Sequence, residues 1–364
     1  MSELKRVLIM TGGTGGHVFP GIAVARELQM HGITVAWLGT EKGMEARLVP
    51  AAGIPLHFIS ISGLRGKGFK ALLLAPWKLL KAITQAAKVI RQFKPDIVLG
   101  MGGFVSGPGG IASWLLGYPL IIHEQNAKAG LTNKWLALVA AKVLEAFPDT
   151  FSARKKIITT GNPVRTEITV LPPPAQRFAG RSQPLHLLVI GGSLGAAAFN
   201  ELVPKALALL DAKERPDVLH QTGEKHTAIT QQNYVDLNLT ATVQPFIEDM
   251  GSAYAWADVV LCRAGALTVA ELCAAGLGAI LVPYPYAVDD HQTANANYLV
   301  KNSAAMIIQQ TELTPESLAS IIKELSASPA KRTAMAQAAY QLRKIDATNN
   351  VFKICGEVCS GLDI

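Results

Sequence analysis

The feature that most constrains this chain is a pattern that occurs twice: a short apolar run, a glycine-rich loop, then an amphipathic helix. Residues 7–10 lead into GGTGGH and a helix predicted over residues 18–30, which Gly32 can end. Residues 185–190 lead into GGSLG and a helix predicted over residues 196–210. A wholly apolar run of this kind suits a parallel strand buried on both faces, with crossover helices above and below it. Two such starts predict two α/β units in tandem. Further strands are predicted at residues 34–38, 56–61, 97–99 and 120–123 in the first half. The second half adds residues 218–220, 242–246, 259–262 and 279–282. The proline-rich stretch at residues 171–184 reads as linker or loop.

Size agrees, because 364 residues exceed what one hydrophobic core usually serves. With 49% hydrophobic and 17% charged residues, a disordered chain is excluded. The four cysteines form no CxxC pair, which predicts reduced thiols in a cytoplasmic protein. The apolar start ends in glycines without a cleavage site and reads as a first strand, not a signal peptide. The uncharged stretch at residues 97–122 is long enough to span a bilayer, but its seven glycines and two prolines would break a spanning helix.

Charge is unevenly placed. Residues 1–160 carry 19 Lys and Arg against 8 Asp and Glu, whereas residues 161–364 carry 15 against 19. The halves are therefore +11 and −4, and the first is expected to meet something anionic: nucleic acid, phosphates or a membrane surface. An ordinary solvated basic surface is the alternative.

Three glycine loops, GGTGGH, GMGGFVSGPGG and GGSLG, each follow a predicted strand. Glycine lets backbone approach a phosphate, and the next helix offers free amides and its positive end. The same glycines could equally serve tight strand–helix turns. None has the GxxxxGK[ST] spacing of a P-loop, and the fit to a dinucleotide GxGxxG pattern is poor, with Glu41 only loosely placed as a ribose acid. In the second half, RAGALTVAE places Glu271 in the early turns of a helix predicted over residues 267–275. A carboxylate there could accept from both hydroxyls of a ribose, or simply favour a helix N-terminus. After the next strand, Asp289, Asp290, His291, Gln292 and Asn295 could read sugar hydroxyls, or form a solvated loop and cap.

Taken in order, GGTGGH, GMGGFVSGP, HEQNAKAGLTNK, GNPVR, GGSLGA and RAGALTVAE resemble the bacterial MurG family, the N-acetylglucosaminyltransferases of peptidoglycan synthesis, across residues 7–300. The resemblance implies a GT-B fold, α/β with two Rossmann-like domains whose parallel sheets face across a cleft. Expected boundaries are residues 1–163 for an acceptor- and membrane-facing domain and 164–340 for a UDP-sugar-binding domain. Residues 341–364 are expected to form a C-terminal helix packing back on the first domain. It also implies inverting transfer from UDP-N-acetylglucosamine to lipid I, the undecaprenyl-diphosphate-linked muramoyl pentapeptide, giving lipid II, with no cofactor or protein-held metal and no nucleic acid as partner. The expected place is the cytoplasmic face of the inner membrane, peripherally, with other cell-wall synthesis proteins as further partners.

Carried over by motif, Thr14, Gly15 and Gly16 line the donor site, joined by Asn126 and Arg165. Ser193 holds the diphosphate, Ile247 the uracil, and Ala266, Leu267, Thr268, Val269, Ala270 and Glu271 the nucleoside, with Gln292 on the sugar. Two positions depart from the family: Leu194 stands where many relatives have glutamine, and His291 where some have the first glutamine of a pair. His17 is the candidate base, since an imidazole at a helix start titrates near neutrality; contact with a phosphate or the loop backbone is the competing role. Residues 69–91 place apolar and basic side chains together, so Leu72, Leu73, Trp77, Leu79 and Leu80, with Trp114, are expected to meet an anionic membrane; a core-facing helix with a solvated basic side is the alternative. Other readings are a GT-B enzyme acting on another membrane lipid, a sugar-nucleotide epimerase, and a non-catalytic sugar-nucleotide-binding protein.

Overall fold

The computed structural model describes residues 3–61, 74–152, 156–181, 184–192 and 194–361. The chain forms two compact units, one of Met1–Val164 with Ile345–Ile364 and the other of Arg165–Lys344. Each is built on one parallel sheet.

In the first unit the strands are β1 (Arg6–Met10), β2 (Thr34–Gly39), β3 (Leu56–Phe58), β4 (Ile97–Gly100), β5 (Leu120–Glu124), β6 (Lys142–Glu145) and β7 (Ile157–Thr159). They lie in the order β3-β2-β1-β4-β5-β6-β7, with Arg6 opposite Thr34 and Val7 opposite Ile97. Alternation along β1 explains why its whole run is apolar. Val7 and Ile9 enter one core, with Val18, Ile22 and Leu28 of the helix Gly15–Met30, whereas Leu8 and Met10 enter the other. That second core includes Ala82, Ala86 and Ile90 of the helix Ala75–Phe93. The chain's last helix, Ala347–Ser360, returns to the first core, where Val351, Ile354 and Cys355 are buried against the helix Gly15–Met30. Phe352 stacks on His31 at 4.2 Å between ring centroids.

The second unit repeats the plan with β8 (His186–Ile190), β9 (Asp217–Gln221), β10 (Thr242–Gln244), β11 (Val259–Cys262), β12 (Gly278–Leu281) and β13 (Ala305–Ile307). Their order is β10-β9-β8-β11-β12-β13, all parallel. Both units therefore reverse their strand order between the first and fourth strands, at β1/β4 and at β8/β11. The connections there leave in opposite directions and open a crevice at the strands' carboxyl ends, where ligands bind in this class of sheet.

The stretch expected to be linker or loop is loop and turn over residues 171–181 apart from one short element. This region carries a short helix, Pro174–Arg177, and is tied down by two arginines. Arg177 donates to the carbonyls of Ala275 and Gly276, and Arg181 to Asp258 and the carbonyls of Ala255, Trp256 and Ala257. Prolines and few apolar residues concealed an anchoring made by guanidinium groups.

Candidate functional site

At the switch point of the first unit, β1 and β4 deliver their glycine loops side by side. Thr14 adopts an extended conformation as the N-cap of the helix Gly15–Met30, so Gly15 and Gly16 form its first turn. The amides of such a turn have no partner four residues back and suit an anion. Glu45 holds the loop from beneath. Fully buried, its carboxylate accepts from the Gly13 amide at 3.0 Å, the Thr40 amide at 3.0 Å and the Thr40 hydroxyl at 2.7 Å. His17 is half-buried, with Nδ1 2.8 Å from Oε1 of Gln125, which follows β5. Asn126 is turned onto Glu124, whose carboxylate receives its amide at 3.1 Å and its side-chain Nδ2 at 3.2 Å. Glu124 also accepts from the Gly130 amide and from Asn133, so one buried carboxylate shapes the whole loop.

In the second unit, Gly195 follows β8 at φ 74°, and a Cβ there would collide with the carbonyl of Thr222. Leu194 is exposed. Ser193 lies outside the described residues, as do Leu72 and Leu73. The helix Ala266–Ala275 starts after β11, with Gly265 extended at its N-cap. Ala266 and Val269 are buried, while Leu267, Thr268 and Ala270 are half-buried. Glu271 sits in the second turn and is itself buried. It receives Arg165 Nη2 at 3.0 Å on one oxygen and the Tyr254 hydroxyl at 3.1 Å on the other. Burial pushes the Glu271 carboxyl up from its ordinary value, against the opposing pull of Arg165.

Ile247 is buried, whereas its neighbour Phe246 is exposed. Gln292 opens the helix His291–Lys301, and its Oε1 accepts from the Tyr284 amide at 2.9 Å. Before it, Asp289 and Asp290 both take left-handed backbone, at φ 54° and 52°, a conformation aspartate tolerates better than most side chains. Asn295 is fully buried and donates to the Ala264 carbonyl at 3.1 Å; of the polar groups in this segment it is the one committed to the interior.

On the outer face of the first unit, the helix Ala75–Phe93 buries only small or distal side chains, Ala82, Ala86 and Ile90. Trp77 is 72% exposed, and Leu79, Leu80 and Trp114 are exposed too. Lys78, Lys81, Lys88 and Arg91 stand exposed on the same helix. The helix Leu131–Val139 adds Leu131, Trp135 and Leu138, all exposed, next to the helix Ser106–Leu115 that carries Trp114. No helix among the described residues is long and apolar enough to cross a membrane, and those residues hold no cluster of three or more side chains suited to a metal ion.

Comparison with known proteins adds a family to this geometry. Residues 7–145 match the glycosyltransferase family 28 N-terminal domain and residues 186–351 its C-terminal domain. The chain belongs to glycosyltransferase family 28. Its two Rossmann-like units, each on a parallel sheet, are the GT-B fold. It is 54% identical to the UDP-N-acetylglucosamine--N-acetylmuramyl-(pentapeptide) pyrophosphoryl-undecaprenol N-acetylglucosamine transferase of Marinobacter nauticus, over 99% of both chains. The crystal structure of Acinetobacter baumannii MurG matches with a TM-score of 0.84 at 46% identity, over 96% of this chain and 99% of that one. A UDP-N-acetylglucosamine 2-epimerase matches with a TM-score of 0.68 over 99% of this chain and 97% of that one; at 15% identity this likeness concerns the fold alone.

Several residues that shape the site of this family 28 glycosyltransferase escape a reading of the sequence. Glu45 lies among ordinary helix-start residues, and nothing nearby marks it as the acceptor for Gly13 and Thr40. Tyr254 is 17 residues from Glu271 and Arg165 is 106 residues from it, so only the tertiary fold reveals their meeting. Trp135 and its neighbours have helical spacing that fits a core as well as a surface.

Proposed function

We propose that this glycosyltransferase moves N-acetylglucosamine from UDP-N-acetylglucosamine to the muramoyl C4 hydroxyl of lipid I, with inversion, yielding lipid II for peptidoglycan synthesis. The observation that carries this reading is the 54% identity over 99% of both chains to an enzyme named for that transfer. The two switch points supply compatible chemistry. In the second unit, the loop after β8 and the start of the helix Ala266–Ala275 offer backbone amides to the diphosphate, and Glu271 retains acceptor capacity for the ribose hydroxyls. Ser193, Ile247 and Gln292 take the remaining donor contacts, and Arg165 screens the charge that develops on departing UDP.

In the first unit, Thr14, Gly15, Gly16 and Asn126 border the reacting sugar, and His17 takes the proton of the attacking hydroxyl. As the new C1–O4 bond forms, the bond from C1 to the UDP oxygen breaks and UDP leaves with its electron pair. The exposed face of Trp77, Leu79, Leu80 and Trp114, with its lysines, docks on anionic lipid at the cytoplasmic surface of the inner membrane, where the acceptor's polyprenyl chain is anchored.

Incubation with radiolabelled UDP-N-acetylglucosamine and a lipid I analogue tests donor, acceptor and turnover together. Label should move into the lipid fraction in step with UDP release. Label that stays on the nucleotide as an epimer, or moves only to a different lipid, would overturn the assignment.

A further inference from the structure

Behind His17 lies a chain of hydrogen bonds whose direction is set at its far end. The carbonyl oxygen of Gly161 can only accept, and Nε2 of His123 lies 2.9 Å from it, so that nitrogen carries a hydrogen. The Thr160 hydroxyl oxygen, 3.3 Å away, offers the same hydrogen a second acceptor. His123 is fully buried, and burial pushes its pKa from 6.5 down to about 4. Its ring is therefore neutral at physiological pH, with a bare lone pair at Nδ1. Gln125 faces that lone pair with its amide nitrogen, at 3.0 Å. The amide oxygen must then point the other way, and it meets Nδ1 of His17 at 2.8 Å. An amide oxygen only accepts, so Nδ1 of His17 is the donor.

We infer that Gln125 and His123 are positioning residues that hold neutral His17 as the Nδ1–H tautomer and so keep its lone pair on Nε2, the nitrogen free to take a proton. The proposal rests on the reading of His17 as the base. An unconstrained histidine side chain favours the opposite tautomer, with hydrogen on Nε2, which could not accept the acceptor's proton there. The relay reverses that preference with neutral groups only. An ionised carboxylate in place of Gln125 would also stabilise the imidazolium and hold the transferred proton more tightly; an amide sets orientation without that added charge.

Two further observations indicate a built arrangement. The Gln125 main chain is clamped by Asn162, whose Nδ2 donates to its carbonyl at 3.0 Å. Gly102, at φ 83° in the loop after β4, lies against the His17–Gln125 bond: a Cβ there would stand 2.7 Å from His17 Nδ1 and 2.8 Å from Gln125 Oε1. Loops from β1, β4, β5 and β7 thus converge on the relay of His17, Gln125 and His123.

Nitrogen-15 NMR of the histidine-labelled full chain reads the tautomer directly, with His17 assigned by the signals lost in His17→Ala. Wild type should show His17 protonated at Nδ1, and Gln125→Met, of similar length but unable to make either hydrogen bond, should shift it toward Nε2–H. In the transfer assay Gln125→Met should lower kcat by ~10- to 100-fold, part of the ~10²-fold or more that a positioned base supplies, with donor KM within about twofold. Gln125→Asn, whose amide is too short to bridge both rings, replaces it if the methionine variant does not fold. An Nε2–H tautomer in wild type, a tautomer indifferent to Gln125, or an unchanged kcat alongside a shifted tautomer would each overturn the proposal. Absence of sugar transfer by wild type would instead overturn the transferase reading, while the tautomer result stood on its own.

Discussion

Glu271 is a carboxylate with two commitments. Its oxygens already receive Arg165 and the Tyr254 hydroxyl, yet each keeps a further lone pair for a ribose hydroxyl. Removing the side chain should therefore do more than weaken the donor. Glu271→Ala leaves the buried Tyr254 hydroxyl without its acceptor and takes from Arg165 one of its two carboxylate partners, costing ~1–3 kcal/mol, read as a lowered Tm. Glu271→Gln keeps the shape and should stay folded, while donor KM rises by roughly tenfold or more for the loss of a charged acceptor. An unchanged donor KM in Glu271→Gln would remove Glu271 from the donor site. A second residue makes a pH prediction. His220 lies on β9 with Nδ1 3.0 Å from the Tyr234 hydroxyl, and burial pushes its pKa from 6.5 to about 3. The unfolded chain takes a proton near pH 6.5 that the folded chain refuses, so this stability is present above 6.5 and lost as pH falls toward 3. His220→Gln should flatten the acid-side slope of stability by up to ~1.4 kcal/mol per pH unit, measured as urea midpoints between pH 7 and 5. Parallel slopes for the two proteins would contradict it.

Among elements, most strands were legible, including the edge strands β3 and β10, whereas the buried β6 was missed. β1, β4, β5, β8 and β11 are continuous apolar runs ending at glycines or turns, and the structure places them near the centres of the two sheets. β6, β7 and β13 went unread. They lie at or toward sheet edges, run three or four residues, and in KVLE and IIT give too short a period to separate strand from loop. The glycine loops were legible as loops with the right neighbours, but not in what they lean on. GMGGFVSGP looks like a phosphate loop, and its Gly102 in fact backs the His17–Gln125 pair. Gly102→Ala should therefore fold, with strain at a positive φ, and lower kcat by ~10²-fold as the imidazole is displaced. UDP binding measured by calorimetry should change little, because the contacts proposed for the nucleoside, Ile247 and Glu271 among them, are carried by the second unit. A fully active Gly102→Ala would show that the loop does not set the position of His17.

At the scale of the whole molecule, the basic first half and the exposed apolar face of the same unit point to one surface. Trp77 and Leu80 are exposed beside Lys78 and Lys81, and each lysine near an anionic membrane is worth ~1 kcal/mol. Trp77→Glu with Leu80→Glu should leave the fold and UDP affinity intact, while flotation with anionic liposomes falls at least several-fold. Trp135→Glu asks whether the patch extends to the helix Leu131–Val139. Undiminished flotation in the double variant would retire this face as the docking surface.

The last helix has a further consequence, for the order in which the protein is made. Val351, Ile354 and Cys355 complete a core begun by Val7 and Ile9, so the first unit needs residues translated after the whole of the second. On the ribosome its opening strands emerge early, yet the surface that the helix Ala347–Ser360 will cover stays bare until that helix has emerged. The second unit, contiguous from Arg165 to Lys344, faces no such wait. The half translated first is thus the half completed last.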